Sequence, residues 1–286
     1  MNFERRIISL VKLLDDEDVF ISKTAYEKLI NSGVEALPVL LNLRETIGGN
    51  LKNLLDEIVD VIKYRGYLEE VVAYFKDAER DIERGAYLVA KFAYPDVNFK
   101  EYSEKLDLMA LELKRRIYTR ENFDDIIDAV NKFFFVEKGF RGNFENYYEP
   151  DNIFINRVID RRLGISITLS LVYILVGRRA NLPVYGIDLP GCFVVRYESN
   201  GFEIYVDPFN GGKIMSRADC EKLISQLGYS QNCKYLKRAT ADVIVKRMFE
   251  NLALSYKNNG YLEKANKLTE IIKLIELVDE NLHTDR

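Results

Sequence analysis

Apolar residues recur at helical spacing through the first 135 positions. Ile7, Leu10 and Leu14 predict a first helix, which the acidic run at 15–18 ends. Further helices are predicted over 19–31, from about 34, and over 51–62, with glycines at 33 and 48–49 between them. This alternation resembles HEAT-type helical pairs and predicts a helical region over 1–66. The segments 67–94 and 99–116 extend the helical pattern to about residue 135.

The pattern changes after residue 135. A loop rich in Gly, Asn and Tyr spans 139–150, and the segment 167–176 that follows is apolar on nearly every side. A helix that is apolar all round is a buried helix. We expect it to begin just after Gly164 and to end by Pro183.

Two short apolar runs then predict a β-hairpin. The corner Leu189-Pro190-Gly191 leads into a strand at 193–195, a turn at 199–201 and a second strand at 204–206. Cys192 stands at the start of the first strand and Asp207 at the end of the second. A short strand at 184–187 precedes them. A buried helix against an antiparallel sheet predicts an α+β core.

The last segment returns to a helix-turn-helix pattern. Six positions have the spacing of one tetratricopeptide repeat: Phe249, Leu252, Ala253, Tyr256, Gly260 and Ala265. A single repeat cannot bury its own apolar face. We therefore expect residues 241–286 to form a helical hairpin that docks on the core or on the N-terminal helices.

Composition and charge exclude several function classes. The chain has 286 residues, 30% of them charged, a formal net charge of −4 and a pI near 5.4, so no nucleic-acid partner is expected. No apolar run approaches the ~18 residues of a membrane span, and the protein is predicted to be cytoplasmic and free of the membrane. Three cysteines without a CxxC pair and a single histidine, His283, predict no metal and no other cofactor. Cys220 and Cys233 are interpreted as structural, and His283 as solvated.

The order of these elements resembles the transglutaminase-like core. The pieces that carry the resemblance are "GFRGNFENYYEPDNIFINRVIDRRLGISITLSLVY", "LPGCFVVRY" and "VDPFNGG". The wider context resembles the bacterial SirB-type branch of that family, over about 81–277. The resemblance implies a helical N-terminal region, a papain/transglutaminase-like core with a small antiparallel sheet, and a tetratricopeptide-like C-terminal hairpin. The implied boundaries are 1–66, 67–135, 136–240 and 241–286.

The resemblance also implies where a catalytic triad would lie. In the family a nucleophilic Cys begins the buried helix, a His opens the next strand and an Asp ends the one after. These positions fall on Ser166, Cys192 and Asp207 here, so only the Asp keeps its identity. The branch itself commonly has Pro at the first position, and its Asn-Ser pair after the aromatic loop appears as Asn152-Ile153.

A thiol triad needs a thiolate, an imidazole that shuttles its proton, and a carboxylate that orients the imidazole. Ser166 has no base beside it in this scheme, and Cys192 cannot replace the imidazole. Ser166 is also explained as a helix cap or first-turn residue, Cys192 as a small buried side chain, and Asp207 as a loop cap. We therefore predict a catalytically inactive transglutaminase-like protein that binds a protein or peptide.

Two alternatives remain open from the sequence. In the first, Cys192 is a displaced nucleophile of a thiol-dependent acyl transferase or hydrolase, with its pKa tuned by Asp207 or a nearby cation. In the second, the helical repeats form a scaffold that presents a groove to a protein segment.

Overall fold

The computed structural model describes residues 2–199, 201–229 and 233–284, with side chains except at 233–234 and 281–284. The chain divides into two compact units, 1–73 and 74–286. Cys233 and His283 were interpreted from the sequence, and their side chains lie outside the described set.

Helices alone build the first unit. Its elements are α1 (Phe3–Lys12), α2 (Val19–Ile30), α3 (Leu37–Arg44) and the larger part of α4 (Gly49–Lys76). The Asp18 carboxylate caps α2 by accepting a hydrogen bond from the Phe20 N–H at 2.8 Å. The helices bury one apolar core, which includes Ile7, Leu29, Leu40 and Ile58. The predicted helices of this region are confirmed, with ends shifted by a few residues.

Helix α4 differs from the expectation that a break separates 51–62 from 67–94. It runs without interruption through Gly66. A Cβ atom at Gly66 would lie 2.4 Å from the Val34 Cγ1 atom, so the glycine permits a close approach inside the unit. Gly66 is therefore a packing contact within a continuous helix.

The second unit places eight further helices in the described chain around one sheet. They are α5 (Ile82–Lys91), α6 (Phe99–Ile117), α7 (Phe123–Asn131), α8 (Ile155–Arg161), α9 (Ser166–Arg179), α10 (Arg217–Gln226), α11 (Ala241–Asn258) and α12 (Leu262–Thr284). Side-chain oxygens of Asp81, Asn98 and Asn122 cap the first three.

The main sheet is antiparallel and follows chain order. Its strands are β3 (Val184–Leu189), β4 (Cys192–Ser199), β5 (Phe202–Asp207) and β6 (Lys213–Met215). A separate parallel pair is formed by β1 (Arg141–Gly142) and β2 (Leu163–Gly164). β1 lies near the start of the loop predicted over 139–150, and this strand pair is not among the sequence predictions. This mixture of helices and a small antiparallel sheet confirms the α+β fold class.

A two-residue turn joins β3 to β4. Leu189 pairs with Cys192 across it, and Gly191 has φ +78°. Pro at the first central position and a positive-φ Gly at the second are the pattern of a type II turn. The turn fixes the register that places Cys192 first in its strand.

Helix α9 fills the centre of the second unit. Every residue from 166 to 177 is buried, as the all-round apolar pattern predicted. The helix packs across β3 and β4, and Gly177 allows a close approach to Val184. The start of the helix is thereby held against the start of β4.

Helices α11 and α12 form a hairpin that docks within the second unit. The Phe92 and Tyr256 rings lie 6.1 Å apart, and Gly85 of α5 leaves room for the Val245 side chain. Docking was expected from the apolar face of the hairpin and is confirmed, while its identity as a tetratricopeptide repeat stays a prediction. No helix in the described part of the chain is long and apolar enough to cross a membrane.

Candidate functional site

The start of α9 and the start of β4 meet through a serine. Ser166 is the first residue of α9, and its Oγ atom accepts a hydrogen bond from the Phe193 N–H at 3.3 Å. Ile165 is the N-cap residue of α9, so Ser166 is a first-turn residue, one of the two positions that its sequence interpretation allowed. Its buried hydroxyl joins the helix to the strand.

A second serine of α9 also binds the backbone of Phe193. The Ser170 Oγ atom, one turn further along α9, donates to the Phe193 carbonyl at 3.1 Å. The pairing between β4 and β5 begins at Val195 of β4, so Phe193 lies outside the paired stretch. The two serines satisfy the backbone groups that the sheet leaves open at this point.

Cys192 lies next to this contact, at the predicted strand start. The residue is half-buried and its thiol is free. Burial, together with the neighbouring Asp207 carboxylate, raises the pKa of the Cys192 thiol to about 12. A thiol with that pKa is protonated and a poor nucleophile near neutral pH.

Asp207 ends β5, which lies beside β4 in antiparallel orientation, as predicted. One carboxylate oxygen accepts from the N–H groups of Phe209 and Asn210, at 3.0 and 3.3 Å, and the other accepts from the Asn210 Nδ2 atom at 2.6 Å. The buried carboxylate is thus used to hold its own loop. The residue after that loop, Gly212, accepts a hydrogen bond from the Asn131 side chain of α7 at 2.9 Å.

The three triad-equivalent positions therefore belong to one small region. Ser166 contacts the residue that follows Cys192, and Asp207 is an electrostatic neighbour of the Cys192 thiol. The relative placement expected from the family resemblance is confirmed. A catalytic role for these positions stays a prediction.

Sequence reasoning missed Arg247, which α11 brings to the same region. Its Nη1 atom donates to the Leu189 carbonyl at 3.0 Å and pairs with the Asp188 carboxylate. The guanidinium carbon lies 5.8 Å from the centre of the Phe193 ring. Burial lowers the pKa of Arg247. A polar residue among the apolar positions of α11 was the available signal, but only the docked hairpin shows what it contacts.

An exposed aromatic cluster borders the Cys192 region. It consists of Phe144, Tyr147, Tyr148 and Phe209, and the first three are 66%, 37% and 44% exposed. The Phe209 ring lies 4.5 Å from Phe144 and 5.8 Å from Tyr147, between ring centres. Burial raises the pKa of Tyr147, and the neighbouring Cys192 also raises it. This aromatic cluster therefore continues from the Cys192 region onto the surface.

Two buried asparagines hold the loop that carries these rings. The Asn152 Nδ2 atom donates to the carbonyls of Asn146 and Tyr147, at 2.7 and 3.1 Å. The Asn143 Nδ2 atom donates to the Asn152 Oδ1 atom at 3.0 Å, and the Asn143 Oδ1 atom accepts from the Asn146 N–H at 3.1 Å. Because buried polar groups are costly to leave unpaired, this network keeps the loop in one conformation.

Helix α11 holds the same loop from the other side. Both Ser255 Oγ and Asn259 Nδ2 donate to the Tyr148 carbonyl, the latter at 2.6 Å. A cavity of about 550 Å³ opens beside this contact. Its lining includes Glu145, Tyr147, Tyr148, Asn258 and Asn259.

The other cysteine with a described side chain lies in the core. Cys220 of α10 is fully buried, and burial raises the pKa of its thiol to about 12. Its structural interpretation agrees with this position. Among the described residues, no group of three or more His, Cys, Asp or Glu side chains is arranged to hold a metal ion.

Comparison with known proteins places this geometry in a family context. Residues 100–250 match the family model described as "Transglutaminase-like superfamily". A UPF0162 protein of Xylella fastidiosa (strain 9a5c) is 30% identical over 197 residues, which cover 66% of this chain and 70% of that protein. A UPF0162 protein of Vibrio cholerae is 27% identical over 132 residues, 46% of this chain and 49% of that protein.

A eukaryotic relative shares a longer part of the chain. F-box only protein 21 of Mus musculus is 29% identical over 239 residues, which cover 74% of this chain and 36% of that protein. The human protein of the same name has the same identity and coverage. No solved structure matches this chain at the threshold of significance.

Proposed function

The chain belongs to the transglutaminase-like superfamily, and from that premise we propose that this member binds a peptide segment at the aromatic cluster beside Cys192 and catalyses no acyl transfer. The observation that carries the proposal is the absence of an imidazole from the triad-equivalent positions Ser166, Cys192 and Asp207, and burial also raises the pKa of the Cys192 thiol to about 12. The thiol stands where the family has its histidine. The nucleophile position holds a serine that is bound to the Phe193 N–H.

The remaining groups of the region support the absence of acyl transfer. The Asp207 carboxylate accepts three hydrogen bonds from its own loop, so it has no imidazole to orient. The one histidine of the chain, His283, belongs to the far end of α12. General acid–base catalysis commonly contributes about 10² to 10⁴-fold in rate, and loss of the base removes that contribution.

The aromatic cluster supports peptide binding. Exposed aromatic side chains held in one conformation offer a large apolar surface at low entropic cost. Phe144, Tyr147 and Tyr148 satisfy this condition because the asparagine network fixes their loop. A peptide that passes over Phe209 and Tyr147 would reach Cys192 as well.

Two enzymatic assays test the inactive part of the proposal. We expect incorporation of a fluorescent primary amine into a glutamine-containing protein, and hydrolysis of an acyl thioester, to equal the values for the Cys192→Ala and Ser166→Ala variants. Turnover of the unmodified chain that either variant abolishes would overturn the proposal. It would favour the alternative in which Cys192 or Ser166 is a displaced nucleophile.

Selection from a displayed peptide library tests the binding part. Selected peptides should lose binding to a Tyr147→Ala variant and keep it with Tyr118→Ala, which changes a tyrosine that is 88% exposed in the same unit. Equal loss in the two variants, or retention in both, would contradict binding at the aromatic cluster. Binding that survives at another helical surface would favour the scaffold alternative.

A further inference from the structure

The cavity between the aromatic loop and the end of α11 has the chemistry of a cation-binding pocket. We propose that it receives the side chain of an arginine or lysine from the bound peptide, an inference that rests on the proposed peptide-binding function and names its partner's chemistry. The volume of about 550 Å³ is large enough for such a side chain. The hydrogen-bond acceptors, the tyrosine rings and the negative charge of the cavity lining favour a cation.

The lining is rich in hydrogen-bond acceptors. The Asn258 Nδ2 atom donates to the Leu254 carbonyl at 2.8 Å, and the Asn259 Nδ2 atom donates to the Tyr148 and Ser255 carbonyls at 2.6 and 2.8 Å. Asn259 thereby uses both of its side-chain N–H groups and Asn258 one of its two, and each side chain keeps its Oδ1 acceptor for a ligand. Guanidinium and ammonium groups carry only donors, so they complement such a lining.

The charge of the lining has one sign. Glu145 and Glu149 both line the cavity, and none of its lining residues is Lys or Arg. Glu149 pairs with Arg161 on α8, whereas the exposed Glu145 side chain has no ion pair among the described residues. The cavity also lies at the C-terminal end of α11, where the helix dipole favours positive charge. Lys257 in the last turn of α11 also interacts favourably with the helix dipole, but it does not line the cavity.

Two tyrosine rings supply the rest of the pocket. Tyr147 and Tyr148 meet at right angles, with ring centres 5.3 Å apart and an interplanar angle of 86°. A cation over a tyrosine ring gains from the ring's negative face. Since Tyr147 also borders the Cys192 region, a peptide with a basic residue in this cavity would place its adjoining residues over the aromatic cluster beside Cys192.

A direct titration distinguishes this inference from the proposed function, because selected peptides can still bind at the aromatic cluster when an isolated basic side chain does not bind in the cavity. The probe is Nα-acetyl-arginine N-methylamide, and the uncharged matched probe is the citrulline compound of the same shape. Backbone amide NMR shifts of the isotopically labelled full chain report the binding. We expect saturable shifts at 145–149 and 258–259 with the arginine probe and none with the citrulline probe.

Variants identify the groups responsible. Glu145→Gln and Tyr148→Leu should each weaken binding of the arginine probe by about two- to fivefold, as expected for an exposed carboxylate or a cation–π contact. Glu121→Gln removes the same charge from another exposed site of the unit and should leave the affinity unchanged. Equal shifts with both probes, shifts outside the cavity, or equal weakening by Glu121→Gln would overturn the inference. The acyl-transfer assays would be unaffected by any of these outcomes.

Discussion

The Oγ atom of Ser166 accepts a hydrogen bond from the backbone N–H of Phe193 at 3.3 Å, and this bond joins the first residue of α9, the predicted nucleophile position, to the residue after Cys192. With Ser170 bound to the Phe193 carbonyl, one turn of α9 satisfies both backbone groups of Phe193. The position that would hold a catalytic thiol is therefore used to fasten a helix to a sheet.

Removal of this hydroxyl should reduce stability. Ser166→Ala leaves the buried Phe193 N–H without its partner, and the expected loss is about 1–2 kcal/mol in the free energy of unfolding. Urea denaturation followed by circular dichroism measures it. Ser9→Ala, which removes an exposed hydroxyl bonded to the Arg5 carbonyl, should change stability by less than about 0.5 kcal/mol. Equal losses of stability in Ser166→Ala and Ser9→Ala would contradict a stabilising role of the bond between Ser166 and Phe193.

Cys192 should react slowly with alkylating agents at ordinary pH. Its thiol pKa is raised to about 12, so the thiolate fraction at pH 8 is about a thousandfold below that of a free cysteine with a pKa of about 8.5. The alkylation rate should rise about tenfold per pH unit from pH 8 to 11, because the thiolate is the reacting form. Iodoacetamide labelling of a Cys220→Ala/Cys233→Ala chain isolates the Cys192 signal.

The Asp207→Asn variant tests how far the Asp207 carboxylate contributes to the raised pKa of the Cys192 thiol. Removal of the negative charge should lower the Cys192 pKa and speed alkylation, since the carboxylate disfavours the thiolate. Alkylation at pH 8 as fast as that of an unstructured peptide would show that the pKa of the Cys192 thiol is not raised. Alkylation faster than that of the peptide would support the displaced-nucleophile alternative.

Arg247 should stabilise the docking of α11 on the turn between β3 and β4. Arg247→Met keeps most of the side-chain stem but leaves the Leu189 carbonyl and the Asp188 carboxylate without the guanidinium. We expect a loss of about 1–2 kcal/mol in the free energy of unfolding, reduced from the fully buried case because Asp188 is partly exposed. A double-mutant cycle with Asp188→Ala should give a coupling of at least about 0.5 kcal/mol.

Arg217→Met serves as the control for this cycle. Arg217 pairs with Glu203 and Glu221 on a more exposed surface, where ion pairs contribute about 0–1 kcal/mol. Two results together would show that Arg247 does not stabilise the docking of α11. One is a coupling energy near zero between Arg247 and Asp188, and the other is a loss of stability in Arg247→Met no larger than that in Arg217→Met.

Truncation after Arg238 should yield insoluble or markedly destabilised protein. It removes Phe249, Leu252 and Tyr256, which are buried, and each buried side chain of this kind contributes roughly 1.5–3 kcal/mol before conformational entropy is subtracted. The face of α5 and the carbonyl of Tyr148 lose their partners with them. The soluble fraction, the Tm and binding of a hydrophobic dye measure the effect. A soluble truncation with an unchanged Tm would mean that the hairpin is an independent module.

The local pattern of the sequence determined much of the second unit. The apolar run at 167–176 predicted α9, because a helix with no polar face has to be buried. Leu189-Pro190-Gly191 predicted the corner that begins β4, since Pro fixes φ and Gly accepts a positive φ. The family order then predicted that Ser166, Cys192 and Asp207 would be neighbours, and their backbone elements are.

Only the tertiary structure decided what those residues contact. The Ser166 hydroxyl binds Phe193 at a point of β4 that lies outside the pairing with β5, and that register joins residues from separate strands. Arg247 and Asn259 lie far along the chain from the turn and the loop that they bind, so no local spacing links them. The close approach of Val34 to Gly66 of α4 joins residues that are distant in sequence. Local propensity and apolar periodicity are properties of neighbouring residues, whereas hydrogen-bond partners and burial of polar groups arise only when the folded chain brings separate segments together.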